Sequence, residues 1–203
     1  MDDCVAAGIG ADRLRLVPLG VHADRATPAQ IAAATVMANG VTVDAGMADR
    51  TNPKHEARYR DAVKEASDVM GAAGLDVLLE PINSRDMPGY FLNDFDQAAR
   101  IVDDLGLSRL GIQFDLWHAA RIHGDADAVW AWHRDRVNHI QIAGFPSRNE
   151  PGGGGFDLTG LCSALDESGW DGFVAAEYIP ARATVHGLLW LQALKGRSRP
   201  IGG

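Results

Sequence analysis

The sequence predicts an α/β fold of parallel strands, and three observations carry the prediction. Strand-like and helix-like segments alternate with short turns from about residue 56 onward. The first clear strand, DVLL, is an unbroken apolar run, as expected of a strand covered on both faces. Polar residues recur at the carboxyl ends of successive strands, where a barrel of βα units gathers its functional groups.

Taken in order, residues 12–19 (DRLRLVPL) read as a strand, residues 27–43 as a weak Ala- and Thr-rich helix, and MADRTNP as a loop. Residues 55–73 place apolar side chains at helical spacing, with Gly74 as a stop. The strand DVLLEPIN follows. Residues 92–105 form a helix with Asn93 or Asp94 as N-cap and Gly106 as C-cap. Residues 109–118 (RLGIQFDLWH) give the next strand, residues 126–136 a Trp-rich helix, and residues 137–144 (VNHIQIAG) a further strand. After the polar turn FPSRNEPGGGG, Asp157 caps the helix LTGLCSALDESG. Residues 172–180 (GFVAAEYIP) are the last strand, residues 183–194 a closing helix, and GRSRPIGG a frayed tail. That makes about five parallel strands in a single domain, 1–203. Five βα units leave two sheet edges, so residues 1–54 or a second copy of the chain, in a homo-oligomer, are expected to cover one.

The bulk numbers exclude more than they identify. A chain of 203 residues with 46% hydrophobic content can bury a sizeable core. Its net charge of −8 speaks against nucleic acid as a partner, because phosphate binding needs clustered Lys and Arg. Cys4 and Cys162 lie far apart with no CxxC spacing, so a disulfide framework is not expected and a reducing cytoplasm is. No run reaches membrane-span length, and the acidic opening MDDCVAAGIG does not read as a signal peptide.

The strand ends pose the functional question. Glu80 ends the strand DVLL, Asp115 and His118 end the second, Gln141 sits late in the third, and Glu177 ends the fourth. Carboxylates converging on one barrel face repel one another without a cation, and burying an unpaired charge costs several kcal/mol. Asp and Glu oxygens with a Gln carbonyl suit a hard divalent ion, Mg²⁺ or Mn²⁺, better than zinc. Any one of these residues alone could be a satisfied structural group; their recurrence at equivalent places argues for a site. Other features carry less. Gly152 to Gly155 lack the GK[ST] ending of a phosphate loop and read as a flexible loop over the site. His123, His133 and His139 read as surface or packing residues, Trp130, Trp132, Trp170 and Trp190 as helix-packing residues, and Cys162 as core. Trp117 reads equally as core or pocket lining. No GxSxG elbow is present.

EPIN followed by DMPGY, IQFDLWH, HIQIAG, RNEPG and AAEYIP, in that order, resemble the hydroxypyruvate isomerase family. That family belongs to the xylose-isomerase-like TIM barrels, with sugar 3-epimerases and endonuclease-IV-like enzymes. The resemblance spans residues 56–194 and implies a TIM-barrel-type fold lacking the family's first three strands. It implies that Glu80 and Glu177 are the paired catalytic glutamates. It implies that Glu80, Asp115, Gln141 and Glu177 hold a divalent ion, Mg²⁺ or Mn²⁺. It gives His118 and Arg148 the substrate's oxygens, the substrate being a small hydroxy-keto acid or sugar. Gly155 and Phe156 depart from the family, which has an acidic residue after this loop, and the segment 21–54 is longer than the family's connection. A ketose 3-epimerase on the same ligand set is the near alternative, disfavoured by Gln141 where epimerases more often present His. An endonuclease-IV-like hydrolase would need several more histidines and a basic groove. A barrel fragment without activity is the remaining reading.

Overall fold

The computed structural model describes residues 40–42, 45–72, 75–152, 157–170 and 172–191. Of these, 40–141 with 172–175 form one compact unit, and 142–170 with 176–191 form a second. The expected strand at 12–19, most of the expected helix at 27–43 and the tail GRSRPIGG lie outside the described residues. One part of that helix does not: Gly40–Thr42 is a strand, β1. Its pairing with the neighbouring strand outweighs the weak helical preference of the surrounding sequence.

In the first unit, β1 leads to α1 (Pro53–Ala72), β2 (Asp76–Leu79) and α2 (Phe95–Leu105). These are followed by β3 (Leu110–Asp115), α3 (Leu116–His123), α4 (Ala126–His133), a 3₁₀ turn at Arg134–Arg136 and β4 (Val137–Ile142). Beyond α5 (Leu158–Ser168) come β5 (Val174–Ala176) and the short α6 (Thr184–Gly187). The strands lie in chain order, β1 to β5, and β1 to β4 pair in parallel. All six residues of β3 are buried, as expected of a parallel strand covered on both faces.

The helices form where the sequence supplies caps. Pro53 opens α1 behind Asn52, whose Oδ1 accepts from the Lys54 amide at 3.0 Å. Tyr59, Val63 and Met70 of α1 are buried at helical spacing. Asp94 caps α2 by accepting from the Asp96 amide at 2.8 Å, and Gly106 ends it in the left-handed region at φ 57°. Phe95, at the head of α2, meets Phe114 of β3 with ring centroids 5.3 Å apart, and Trp130 of α4 meets Phe114 edge-on at 5.5 Å. Trp132 does not pack on the sheet as expected: it is 78% exposed, because α4 turns only its Trp130 side inward.

A register shift decides which β4 side chains face where. Ile112 pairs with Val137, but Gln113 pairs with His139, so Asn138 is an extra residue in β4. Strict alternation from Val137 would set His139 and Gln141 on Val137's apolar face. The bulge instead leaves Val137, Ile140 and Ile142 with Ile112 and Phe114, and puts His139 and Gln141 with Gln113 and Asp115. Asp76 holds the bulge by accepting from Asn138 Nδ2 at 3.1 Å while also accepting from Arg109 Nη1 at 3.0 Å. Gly111 leaves room for it, since a Cβ there would fall on the Asn138 amide.

Two expected elements end early. The strand at 109–118 stops at Asp115, and Leu116 onward is helix, so His118 stands in a helical first turn. The last strand is three residues long, and the closing helix opens with Thr184–Gly187, is interrupted at Leu188 and is helical again at 189–191.

His139 is 3% exposed, and burial pushes its pKa down to about 4. Its folded value therefore lies below the ordinary 6.5, so the unfolded chain binds the proton first. The His139 contribution is fully present above pH 6.5 and is lost as pH falls towards 4, by about 3 kcal/mol. Urea midpoints measured across that window should fall less steeply for His139→Gln than for wild type; parallel slopes would mean that His139 is not held neutral. Phe114→Ala should cost about 3–5 kcal/mol by emptying a buried aromatic site, and Trp132→Ala less than about 0.5 kcal/mol. Denaturant titration measures both.

Candidate active site

The carboxyl ends of β2 and β3 bring three of the expected residues together. One ligand atom each from Glu80, Asp115 and His118 lies within 4.8 Å of the others. Glu80 follows Leu79, the last residue of β2, and is partly buried; Asp115 and His118 are 1% and 2% exposed.

Asp115 does two jobs with its two oxygens. Oδ1 accepts from the amides of Trp117 at 2.8 Å and His118 at 3.2 Å, which starts α3 directly from the strand. Oδ2 lies 3.8 Å from His118 Nε2. The other ring nitrogen, His118 Nδ1, receives the Asn83 amide at 3.2 Å and faces Asn83 Nδ2 at 2.9 Å. Trp117 meets the imidazole edge-on at 5.1 Å and carries the Arg121 guanidinium over its own ring, also at 5.1 Å. Trp117 is itself only 6% exposed, so it is both core and a wall of the site.

Gln141 stands opposite Asp115 in the β3–β4 register and is fully buried. Its Oε1 accepts from Gln113 Nε2 at 2.6 Å, and its Nε2 has no hydrogen-bond partner among the described residues. His139, two residues earlier on the same face, is buried with its Nε2 also without one among the described residues. Sequence alone marks none of His139, Gln113 and Asn83 as a site residue. For His139 the period-two spacing to Gln141 was the available signal, and for Asn83 its place three residues after Glu80.

Arg148 and Glu177 belong to the second unit and pair with each other, Nη2 to Oε2 at 3.0 Å. Arg148 holds φ at +58°, unusual for a residue with a Cβ. Its carbonyl accepts from the Ile179 amide at 2.7 Å, its amide donates to Gly144 O at 2.8 Å, and Glu177 N donates to Ile142 O at 3.0 Å. The same unit holds an open cavity of about 530 Å³, lined among others by Asn149, Glu150, Arg182, His186 and Trp190.

The donor set of the first unit fits a hard divalent cation. Two carboxylates converge in a largely buried place, and close like charges there favour a bound cation or a shared proton. Among the described residues no helix is long and apolar enough to cross a membrane.

A model of the xylose isomerase-like TIM barrel family matches residues 23–194. The chain is 39% identical over 150 residues to a 2-oxo-tetronate isomerase of Cupriavidus necator, covering 74% of this chain and 58% of the relative. It is 37% identical over 115 residues to the hydroxypyruvate isomerase of Escherichia coli, covering 57% of this chain and 45% of the relative. The chain thus spans about half the length of these relatives. Among solved structures, an AP endonuclease, family 2, from Brucella melitensis superposes with a TM-score of 0.70 at 30% identity, over 76% of this chain and 60% of that one. A 3-keto-D-glucoside 4-epimerase from Escherichia coli shares the fold with a TM-score of 0.61 at 24% identity, over 75% of this chain and 62% of that one. With strand order, clustered strand-end carboxylates and a family match over residues 23–194 in agreement, this chain belongs to the xylose isomerase-like TIM barrel family.

Proposed function

We propose that this chain is an isomerase of small hydroxy-keto acids, interconverting hydroxypyruvate and 2-hydroxy-3-oxopropanoate (tartronate semialdehyde). The observation that carries the reading is the cluster of Glu80, Asp115 and His118 at adjacent strand ends. The reaction moves one proton from C3 to C2 through an enediolate, while the hydroxyl proton on O3 passes to O2. One carboxylate removes the carbon-bound proton and another returns it, the roles assigned to Glu80 and Glu177 by the resemblance.

Glu80 and Asp115 would hold Mg²⁺ or Mn²⁺, joined in this reading by Gln141 and Glu177. The ion's contribution would be to stabilise negative charge on the two substrate oxygens. Gln141 Oε1 already accepts from Gln113 Nε2, which leaves it a second lone pair for a cation. Arg148, a cation beside Glu177, is the group that could hold a substrate carboxylate or oxygen.

A second reading has its own support, since the Cupriavidus necator relative is named for 2-oxo-tetronate. In that case the same proton transfer acts on a four-carbon 2-oxo acid, and the ratio of kcat/KM for the two acids decides between them.

Isomerisation of hydroxypyruvate with Mg²⁺ or Mn²⁺ added is the direct test. Glu80→Gln and Glu177→Gln should each lower turnover by at least about a hundredfold, and the double variant should be little worse than either. A Glu177→Gln variant that keeps most of its rate would refute the two-carboxylate mechanism, and absence of turnover on both acids would end the isomerase reading. Mn²⁺ at about one hundred times its Kd should stabilise the wild type by roughly 2.7 kcal/mol. Asp115→Asn should lose most of that gain in a thermal-shift titration.

A further inference from the structure

We infer that Asn83 fixes the ring tautomer of His118, placing the proton on Nε2 so that the imidazole serves the site as a hydrogen-bond donor and not as a ligand to the cation. The role as donor to a substrate oxygen rests on the isomerase reading; the tautomer itself does not.

The Asn83 backbone amide approaches His118 Nδ1 at 3.2 Å, and a backbone N–H can only donate. Nδ1 must therefore accept. The Asn83 side chain adds a second donor whose orientation is also settled. Its Oδ1 accepts from the amides of Arg85 at 3.2 Å and Asp86 at 3.1 Å, so the atom facing Nδ1 at 2.9 Å is Nδ2. Asn83 is 1% exposed and His118 2%, so neither partner can exchange these bonds for water cheaply. A neutral imidazole whose Nδ1 accepts carries its proton on Nε2.

Nε2 is the nitrogen on the Asp115 side, 3.8 Å from Oδ2. Proximity alone puts His118 in a three-residue ligand set, yet a protonated nitrogen has no lone pair to offer a cation. The cation set reduces to the carboxylates, with Gln141 and Glu177 as proposed above. In the isomerase reading, His118 Nε2–H stabilises charge that develops on a substrate oxygen, which a rigidly placed neutral donor does without reorganising. Asn83 is then a positioning residue: it touches neither cation nor substrate in this account, and acts through the ring.

The test reads the tautomer directly. Long-range ¹H–¹⁵N correlation of the full-length, metal-free protein labelled at histidine separates Nε2–H from Nδ1–H rings, and the His118→Gln spectrum identifies the signal. The expected result is the Nε2–H pattern in wild type. Asn83→Asp keeps an acceptor for the Arg85 and Asp86 amides but turns the donor facing Nδ1 into an acceptor. It should shift the signal towards an Nδ1-protonated ring and lower kcat by about ten- to a hundredfold with less effect on KM. Titration with Mn²⁺ alone gives the second arm: His118→Gln should change its Kd by less than about threefold, while Asp115→Asn weakens it by at least about tenfold. An Nδ1–H ring in wild type, or a His118→Gln loss of Mn²⁺ affinity equal to that of Asp115→Asn, overturns the inference. An Nε2–H ring with unchanged Mn²⁺ affinity in His118→Gln, in a protein that turns over neither acid, upholds the tautomer and sinks the isomerase reading instead.

Discussion

The site depends on the cap that Asp115 makes. A carboxylate at the end of a buried strand would ordinarily be a cost, but its Oδ1 satisfies two amides that the start of α3 would leave open. The chain can therefore pass from strand to helix with no intervening loop. That abrupt change puts His118 one turn into a helix, with its ring above the strand end and its Nε2 beside Oδ2. A looser connection would let the imidazole swing; here the backbone at 115–118, the Asn83 turn and the Trp117 ring all fix it.

The bulge at Asn138 is the second constraint, and it works with the first. The apolar face of the sheet needs Val137, Ile140 and Ile142, while the polar face needs His139 and Gln141, and a regular strand cannot satisfy both sets. One extra residue reconciles them. Asp76 and Gly111 make that residue tolerable, the first by bonding its amide and the second by having no side chain where the amide lies. Two positions remote from the candidate chemistry thus decide which β4 side chains stand beside Asp115.

The sequence made the element order, the caps at Asp94 and Gly106, and the convergence of Glu80, Asp115 and His118 legible, because each rests on local patterning or on a polar residue ending an apolar run. It could not make the bulge legible. VNHIQI alternates well enough to read as a regular strand, and the irregularity exists only relative to β3. Nor could it reveal that His118 is helical: Leu116 and Trp117 extend the apolar run, and the signal that ends the strand, Asp115, reads from sequence as a ligand, whereas it is also a cap. His139 reads as surface or packing from sequence because neighbouring polar residues look alike until the register is known. Arg148 and Glu177 were singled out by motif, and their mutual ion pair is a property of folding that no spacing announces.

The two faces of the sheet have opposite energetic characters, and this separates stability from function. The face built on Ile112, Phe114, Ile140 and Phe95 contributes roughly 25 cal/mol for each Å² of apolar surface it removes from water. On the other face, the His139 Nε2 and Gln141 Nε2 atoms are buried without hydrogen-bond partners among the described residues, and each such atom costs about 1–3 kcal/mol. A sheet selected for stability alone would place Leu or Val at 139 and 141, since the bulge could be kept and the polar atoms removed. Retaining an imidazole, two glutamines and two carboxylates there makes sense if their cost is offset when something polar occupies that face, and local rules are most often broken where a site is built. Substitutions that relieved the cost would also remove the groups from which the proposed chemistry is assembled.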